Sequence, residues 1–209
     1  MTPEKIRELL APFLEGDALS DQQVQLVSQH FELLLRWNSR VNLTSITEPE
    51  QILARHFGES LFAARKLYQG ASGIGSMIDL GSGAGFPGIP IKILAPELHV
   101  TLVESRQKKA TFLCEVVRAL GLAGIEVANQ RAEDLGLQAH TVTLRAVEKF
   151  NNSLSIAANL VKNGGRLSLL IGAAQVGTAT SLLPKFSWDD PISTPLSQSR
   201  VLMVGRSPQ

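Results

Sequence analysis

The chain has one cysteine, one tyrosine, almost no excess of either charge and no long apolar run. A lone Cys114 cannot close an internal disulfide, which points to a reducing, cytoplasmic setting. The apolar runs are short and broken by Gly, Pro or charge, against the roughly 20 residues a spanning helix needs, so no membrane contact is expected. "TPEKIRELL" after Met1 is acidic and amphipathic, and it offers no basic segment leading into an apolar one, so no signal peptide is expected. With 20 Lys and Arg against 19 Asp and Glu, composition alone predicts no polyanion partner. A nucleic-acid function must therefore rest on local features.

At 209 residues and 44% hydrophobic, the chain is long enough to bury about 70–75% of its unfolded surface without metal or disulfide staples, and no metal site is expected. The expected organisation is a helical N-terminal elaboration over 1–69 and an α/β domain over 70–209. In the first part, "TPEKIRELLAPFL" carries Ile6, Leu9, Leu10 and Phe13 at helical spacing. A second helix opens with Ser20 and Gln23 in capping-box spacing and places Val24, Val27, Phe31, Leu34 and Leu35 on one stripe. Thr47 and Glu50 repeat the device before Leu53, Phe57, Leu61 and Ala64, and the link "NSRVNLTSI" reads as irregular. From residue 75, strand-like "SMIDL", "HVTLVES", "IEVANQ", "HTVTLRAV" and "RLSLLIG" alternate with helical patterns, including "NNSLSIAANLVKN" before a "GG" turn. That alternation predicts βαβ units and a mostly parallel sheet, with a short helix, a strand near "FSWD" and a last strand "RVLMV", expected antiparallel, beyond residue 173.

"DLGSGAGFPGIP" at 79–90 sits where a strand gives way to a helix, at the carboxyl edge of the predicted sheet, where such sheets bind ligands. Gly83, Gly85 and Gly88 match G-x-G-x-x-G, and Glu104 ends the next strand, where a carboxylate can accept from both ribose hydroxyls. Nicotinamide dinucleotide and S-adenosylmethionine both carry adenosine. Asp79 separates them: a carboxylate about 5 Å from a pyrophosphate costs roughly 3 kcal/mol at an effective dielectric of 20, whereas a sulfonium and an ammonium favour it. The segment also has no Lys or Arg to serve phosphates. Both features favour the methyl donor over a dehydrogenase's cofactor.

"DLGSGAGFPGIPIKILAP", then "LVES…KKATFL" and "QRAEDL", with upstream "RWNSRVNLTSI" and "RHFGESL" and downstream "LRAV", resembles the RsmG (GidB) family of bacterial ribosomal RNA methyltransferases over roughly residues 20–172. The resemblance implies a Rossmann-like methyltransferase fold, S-adenosylmethionine as cofactor, and methyl transfer to N7 of a guanine in small-subunit ribosomal RNA. It implies that Gly81, Gly83, Gly85 and Phe86 line the methionine and ribose side and that Glu104 holds the ribose. Asp79 joins them as a cofactor residue, Ala132 and Glu133 border the adenine, and Arg145 sits between cofactor and target base as the catalytic candidate. The expected partner is ribosomal RNA within the small subunit or its assembly precursor, because no strong basic stripe exists to grip naked RNA, and the chain is expected to be a monomer.

Guanine N7 is a bare acceptor that carries no proton, so its methylation needs neither a base nor a covalent nucleophile. Cys114, inside the helix after Glu104, reads as core packing rather than as a nucleophile, and "LRAVEKF" lacks the Asn/Asp-Pro-Pro-aromatic turn of amino-nitrogen methylation. Arg145 could instead pair with a nearby carboxylate. Arg55 and Glu59 are spaced as a surface ion pair, and His56 reads equally as interior or as substrate-facing. Arg36 and Asn42, beside Trp37 and Arg40, are candidate RNA contacts, although Trp37 also suits a core anchor; Lys108 and Lys109 read either way. Five residues depart from the family pattern. Gly58 and Glu59 stand in place of a bulkier residue and Asp, His140 in place of Asp, Leu144 in place of Ser and Ile171 in place of Lys. His140 and Leu144 are expected to alter the wall below the target base, and Ile171 to remove a cation from the RNA side. A methyltransferase of another substrate and a ribosome-assembly module without turnover are the alternatives.

Overall fold

The computed structural model describes residues 1–70, 75–145 and 150–209. Helix α1 (Pro3–Leu10) is capped by the Thr2 hydroxyl, which accepts from the Lys5 amide, and passes through a 3₁₀ turn at Ala11–Phe13. Helix α2 (Asp21–Asn38) starts on the expected capping box: the Ser20 hydroxyl accepts from the Gln23 amide, and the Gln23 side chain accepts from the Ser20 amide. Its buried stripe is centred on Val27, His30 and Leu34, so Leu35, expected on that stripe, lies exposed instead.

The Thr47–Glu50 capping box does not form. Helix α3 (Pro49–Ile52) begins one residue later than that box requires, on Glu48, without a side-chain cap. A π-turn over Leu53–Gly58 carries it into α4 (Glu59–Tyr68). Such turns re-aim side chains and recur at functional sites; here the turn contains Arg55 and His56.

The sheet then forms in chain order: β1 (Ser76–Leu80), α5 (Gly88–Leu94), β2 (His99–Val103), α6 (Gln107–Ala119), β3 (Ile125–Ala128), β4 (Ala139–Arg145), α7 (Phe150–Asn159) and β5 (Val161–Gly172). Helix α8 (Val176–Leu182) and strands β6 (Ser187–Trp188), β7 (Ile192–Ser193) and β8 (Arg200–Arg206) close the chain. Strand order is β3-β2-β1-β4-β5-β8-β6, with β7 also on β8; β1 to β5 are parallel, and β8 runs antiparallel to β5. The order reverses between β1 and β4, and the carboxyl ends of those two strands mark the ligand crevice of such sheets.

Alternation along the strands sorts the residues into two faces. Met77, Val100 and Leu102 share a core with α1, α2, α5 and α6, and Leu170 and Leu202 pack with Phe13 and Phe62 of the N-terminal helices. Ile78, Val142, Leu144, Leu169, Ile171 and Met203 face the opposite layer, with Leu154 and Ala157 of α7 and Ala179 of α8. The N-terminal helices thus share an apolar core with one face of the sheet. Three local expectations change. The helix read over 151–163 ends at Asn159, because Val161 already pairs with Ala139. Gly164 and Gly165 sit inside β5, where the register shifts between Ala139 and Thr141 and Gly164 takes φ +68°. Cys114, read as core, is exposed on α6, whose buried face is Phe112, Leu113 and Val116. Residues 146 and 147, read as the end of the "LRAV" strand, lie outside the described residues.

Candidate active site at the strand-order reversal

The loop after β1 is held from beneath by Asp79. This residue was expected to face a cofactor, but it is fully buried: Oδ2 accepts from the Gly88 amide at 3.0 Å and Oδ1 from the Thr143 hydroxyl at 2.9 Å. Burial pushes its carboxyl up to about 6, opposed by those two hydrogen bonds. Gly88 is required there, since a Cβ would lie 2.4 Å from Leu102 and 2.7 Å from the Asp79 carboxylate. Above this brace, Gly81, Gly83 and Gly85 take φ of +70°, +55° and +89°, which L side chains rarely adopt.

Glu104 directly follows β2 and turns towards the loop. Its Oε2 accepts from the Gly83 amide at 3.1 Å and its Oε1 from the Arg106 amide at 2.8 Å. A carboxylate offers about four lone-pair directions, so two remain for ligand hydroxyls. Glu104 and Gly81 line a cleft of about 510 Å³ whose far side is Arg131, Ala132 and Glu133, with Arg106 at its rim. That volume is within the usual range for small-molecule sites, about 300–1,000 Å³. Gly81, Glu104, Ala132 and Glu133 are therefore together in one cleft, whereas Gly83, Gly85, Phe86 and Arg145 do not line it.

Phe86 lies in the interior, only 5% exposed. His30 of α2 and His56 of the π-turn both stack on it, at 5.0 and 4.9 Å between ring centroids, and Phe57 meets it edge-on at 4.9 Å. The His56 Nδ1 is 3.1 Å from Arg145 Nη1, and its Nε2 is 2.7 Å from the Thr44 hydroxyl. Guanidinium only donates, so Nδ1 accepts and Nε2 carries the hydrogen. Burial, then the charges of Arg145, Arg55 and Arg200, hold His56 down to about 3. It is a neutral, doubly bonded imidazole.

Arg145 ends β4 on the face opposite Leu144. Its Nη2 donates to the Arg55 carbonyl at 2.7 Å and to Glu59 at 3.3 Å. Glu59 is no surface partner of Arg55, as the i,i+4 spacing suggested: its side chain is 2% exposed and is shared by Arg145, Arg200 at 3.0 Å and Arg55 at 3.7 Å. Arg55 is the half-exposed member of that group. Sequence reasoning missed His30, Thr44 and Arg200 as parts of the site and read Glu59 only as a surface partner of Arg55, because the contacts of His30 with Ala84 and of Glu59 with Arg145 and Arg200 run across the chain rather than along it.

The remaining candidates lie apart. Arg36 is exposed and lines a separate groove with Arg40 and Glu115, while Trp37 anchors α2 edge-on against Phe112 at 5.7 Å. Asn42 is exposed in the irregular link that Asn38 Oδ1 organises by accepting from the Leu43 and Thr44 amides. Lys108 and Lys109 open α6, Lys108 exposed and Lys109 partly so. Gly58 leaves room for Phe13, whose ring would sit 2.5 Å from a Cβ there. His140 and Leu144, expected to alter the wall below the target base, lie near opposite ends of β4. His140 bonds Ser76 at the amino end of β4, and Leu144 faces α7. Ile171, expected to remove a cation from the RNA side, is buried against the same layer. Among the described residues, no three His, Cys, Asp or Glu gather to hold a metal.

A parallel sheet with this order, an antiparallel last strand and a glycine loop facing an acid at the end of β2 places the chain in the Rossmann-like methyltransferase class. Solved structures share the fold. Magnesium protoporphyrin IX methyltransferase from Synechocystis PCC 6803, with bound SAM, matches at TM-score 0.66 and 14% identity over 91% of this chain and 99% of that one. The M. jannaschii tRNA m1G37 methyltransferase matches at 0.60 and 12% over 73% and 49%. Within that class the chain belongs to the GidB family, rRNA small subunit methyltransferase G, whose profile matches residues 23–182. Proteins named ribosomal RNA small subunit methyltransferase G are similar to it: 39% identical in Exiguobacterium sp., covering 76% of this chain and 68% of that one, and 38% in Leuconostoc mesenteroides, covering 83% and 74%. The Roseiflexus castenholzii protein is 43% identical over 76% and 69%.

Proposed function

We propose that this chain transfers a methyl group from S-adenosylmethionine to N7 of a guanine in small-subunit ribosomal RNA. The observation that carries the reading is the cleft at the strand-order reversal, in which Gly81 and Glu104 face Ala132 and Glu133, in a chain of this family. Glu104 keeps two acceptor directions for ribose hydroxyls, and Ala132 and Glu133 form the border an adenine would meet. When bound, S-adenosylmethionine supplies an electrophilic methyl carbon: the N7 lone pair forms the new bond as the carbon–sulfur bond breaks, leaving a neutral thioether and a cationic base.

The protein's share is positioning. Oriented reactants gain up to about 7–11 kcal/mol over free encounter, and N7 has no proton to remove. That suits a site in which both nitrogens of His56 are already committed, to Arg145 and Thr44. Arg145, held by His56, Glu59 and the Arg55 carbonyl, is proposed as the fixed edge of the target-base site, with half-exposed Arg55 facing the RNA backbone. At the cleft, the guanidinium groups of Arg106 and Arg131 form no ion pair among the described residues, which favours a polyanion despite the net charge of +1. Among the described residues no helix is long and apolar enough to span a bilayer.

Labelled S-adenosylmethionine, supplied with small subunits and with naked RNA from cells lacking the guanine N7 methyl group, tests the reading. Digestion to nucleosides should place the label in 7-methylguanosine. Label in another nucleoside would overturn the N7 assignment. Binding without label would leave a ribosome-assembly module.

A further inference from the structure

His30 is the buried residue for which neither packing nor the family's chemistry gives an account. It lies on α2, 54 residues from the glycine loop, and is 0% exposed. Its Nε2 is 2.9 Å from the carbonyl oxygen of Ala84, the residue between Gly83 and Gly85. A carbonyl only accepts, so Nε2 carries the hydrogen, and Nδ1 is left bare and buried with no partner among the described residues. A phenylalanine would fill the same space without that orphaned acceptor. The imidazole is therefore accounted for by the donor it supplies, not by the volume it occupies.

The need for that donor can be read from the loop. Helix α5 grows out of it, and the amides of Ile89 and Ile91 bond back four residues to Gly85 and Pro87. By the same rule the Gly88 amide would serve Ala84, but Asp79 takes it at 3.0 Å. Ala84 loses its backbone partner to the brace beneath the loop, and His30 stands in for it. Ring and loop are pressed together: His30 stacks on Phe86 at 5.0 Å and 17°, and a Cβ on Gly85 would come within 3.3 Å of its Cε1. One residue before Ala84, the Gly83 amide is bonded to Glu104, the acid that faces the cleft.

We propose that His30 is a positioning residue for the cofactor loop: it fixes the Ala84 carbonyl inward, so that the 83–85 backbone keeps the register that sets Glu104 for its ligand. This rests on the reading of the cleft as the S-adenosylmethionine site. The N-terminal helices thereby act on cofactor affinity through one hydrogen bond as well as through packing.

The test compares two variants of the full chain with the wild type by calorimetric titration of S-adenosylmethionine and by urea unfolding without ligand. His30→Phe keeps the aromatic ring and loses the donor; His30→Gln keeps an N–H donor and loses the ring. The expected result is a weakening of at least tenfold in His30→Phe with unfolding stability equal to or above wild type. His30→Gln should stay within about threefold in affinity although it unfolds more easily. Wild-type affinity in His30→Phe overturns the proposal, as does an affinity that falls in both variants in step with their stability. Failure of the wild type itself to bind S-adenosylmethionine overturns the cofactor reading instead. Should His30→Phe not fold, ¹⁵N spectra of the wild-type imidazole decide: a bare Nδ1 and a protonated Nε2 whose shift moves on adding S-adenosylmethionine support the proposal, and an unmoved signal refutes it.

Discussion

Glu59→Gln removes one negative charge from a group in which it faces three guanidinium ions, while keeping the side chain's shape. The three contacts are unequal. Arg55 is 51% exposed and 3.7 Å away, so solvent screens it and its share is under about 1 kcal/mol. Arg145 and Arg200, at 3.3 and 3.0 Å, have side chains only 8% and 17% exposed against 2% for Glu59. Removing one partner from such a buried pair leaves uncompensated charge and costs about 3–5 kcal/mol. The glutamine oxygen still accepts from one guanidinium, which recovers part of that, so the expected loss is about 2–4 kcal/mol. For a chain of this length each kcal/mol shifts Tm by roughly 2–4 °C, so a drop on the order of 4–16 °C should appear in calorimetry, with a matching loss in urea unfolding. Arg200→Leu on the Glu59→Gln background should then cost less than in the wild type, because its partner is already gone. A loss below about 1 kcal/mol, or strict additivity of the two changes, would show that the cluster is solvated and that Glu59 does not hold Arg145.

Acid should unfold the protein through its two buried imidazoles. Against an ordinary value of about 6.5, burial holds His30 at about 4 and His56 at about 3, so below about pH 6.5 the unfolded chain takes protons the fold refuses, costing ~3 and ~5 kcal/mol at the acid limit. Asp79, raised to about 6, binds its proton first in the fold and returns ~3 kcal/mol between about pH 6 and 4. Stability measured in urea should still fall from pH 7 to 4, and more steeply in Asp79→Asn; a flat profile would refute both histidine assignments. Gly58→Ala places a Cβ 2.5 Å from the Phe13 ring, and should cost about 1–3 kcal/mol that Phe13→Leu partly restores, as denaturant midpoints would show. Glu104→Ala should weaken S-adenosylmethionine binding by roughly thirtyfold, about 2 kcal/mol, without a comparable loss of fold; unchanged affinity in a titration would remove Glu104 from the site.

The grouping of Gly81, Glu104, Ala132 and Glu133 in one cleft was legible because its parts are local. A glycine loop after a strand, an acid at the next strand's end and the Ala132–Glu133 pair each follow a βα junction, and parallel topology brings all such junctions to one edge. What spacing could not supply is the direction in which a side chain looks. Asp79 and Glu104 are both acids at strand ends, yet one lies beneath the loop on Gly88 and Thr143 while the other faces the cleft. Leu35 and Cys114 failed for a related reason: a helical stripe can be rotated by one position at no cost to its period, and only the partner surface fixes the choice. Arg55 and Glu59 met the i,i+4 rule, but that rule knows nothing of Arg145 and Arg200 arriving from strands 86 and 141 residues away.

The site therefore has two origins. Strand ends of the sheet supply Gly81, Glu104, Ala132 and Glu133, while residues ahead of β1 supply His30, Arg55, His56 and Glu59. The two meet at Phe86, which belongs to the loop and carries a stacked imidazole from α2 and another from the π-turn. Gly58 belongs to the same arrangement: by admitting the Phe13 ring it seats the π-turn against the end of α1, and the next residue, Glu59, reaches Arg145 and Arg200. A substitution in the N-terminal helices should consequently disturb Arg145, the proposed edge of the base site, or the loop at Ala84, according to whether it touches Glu59 or His30.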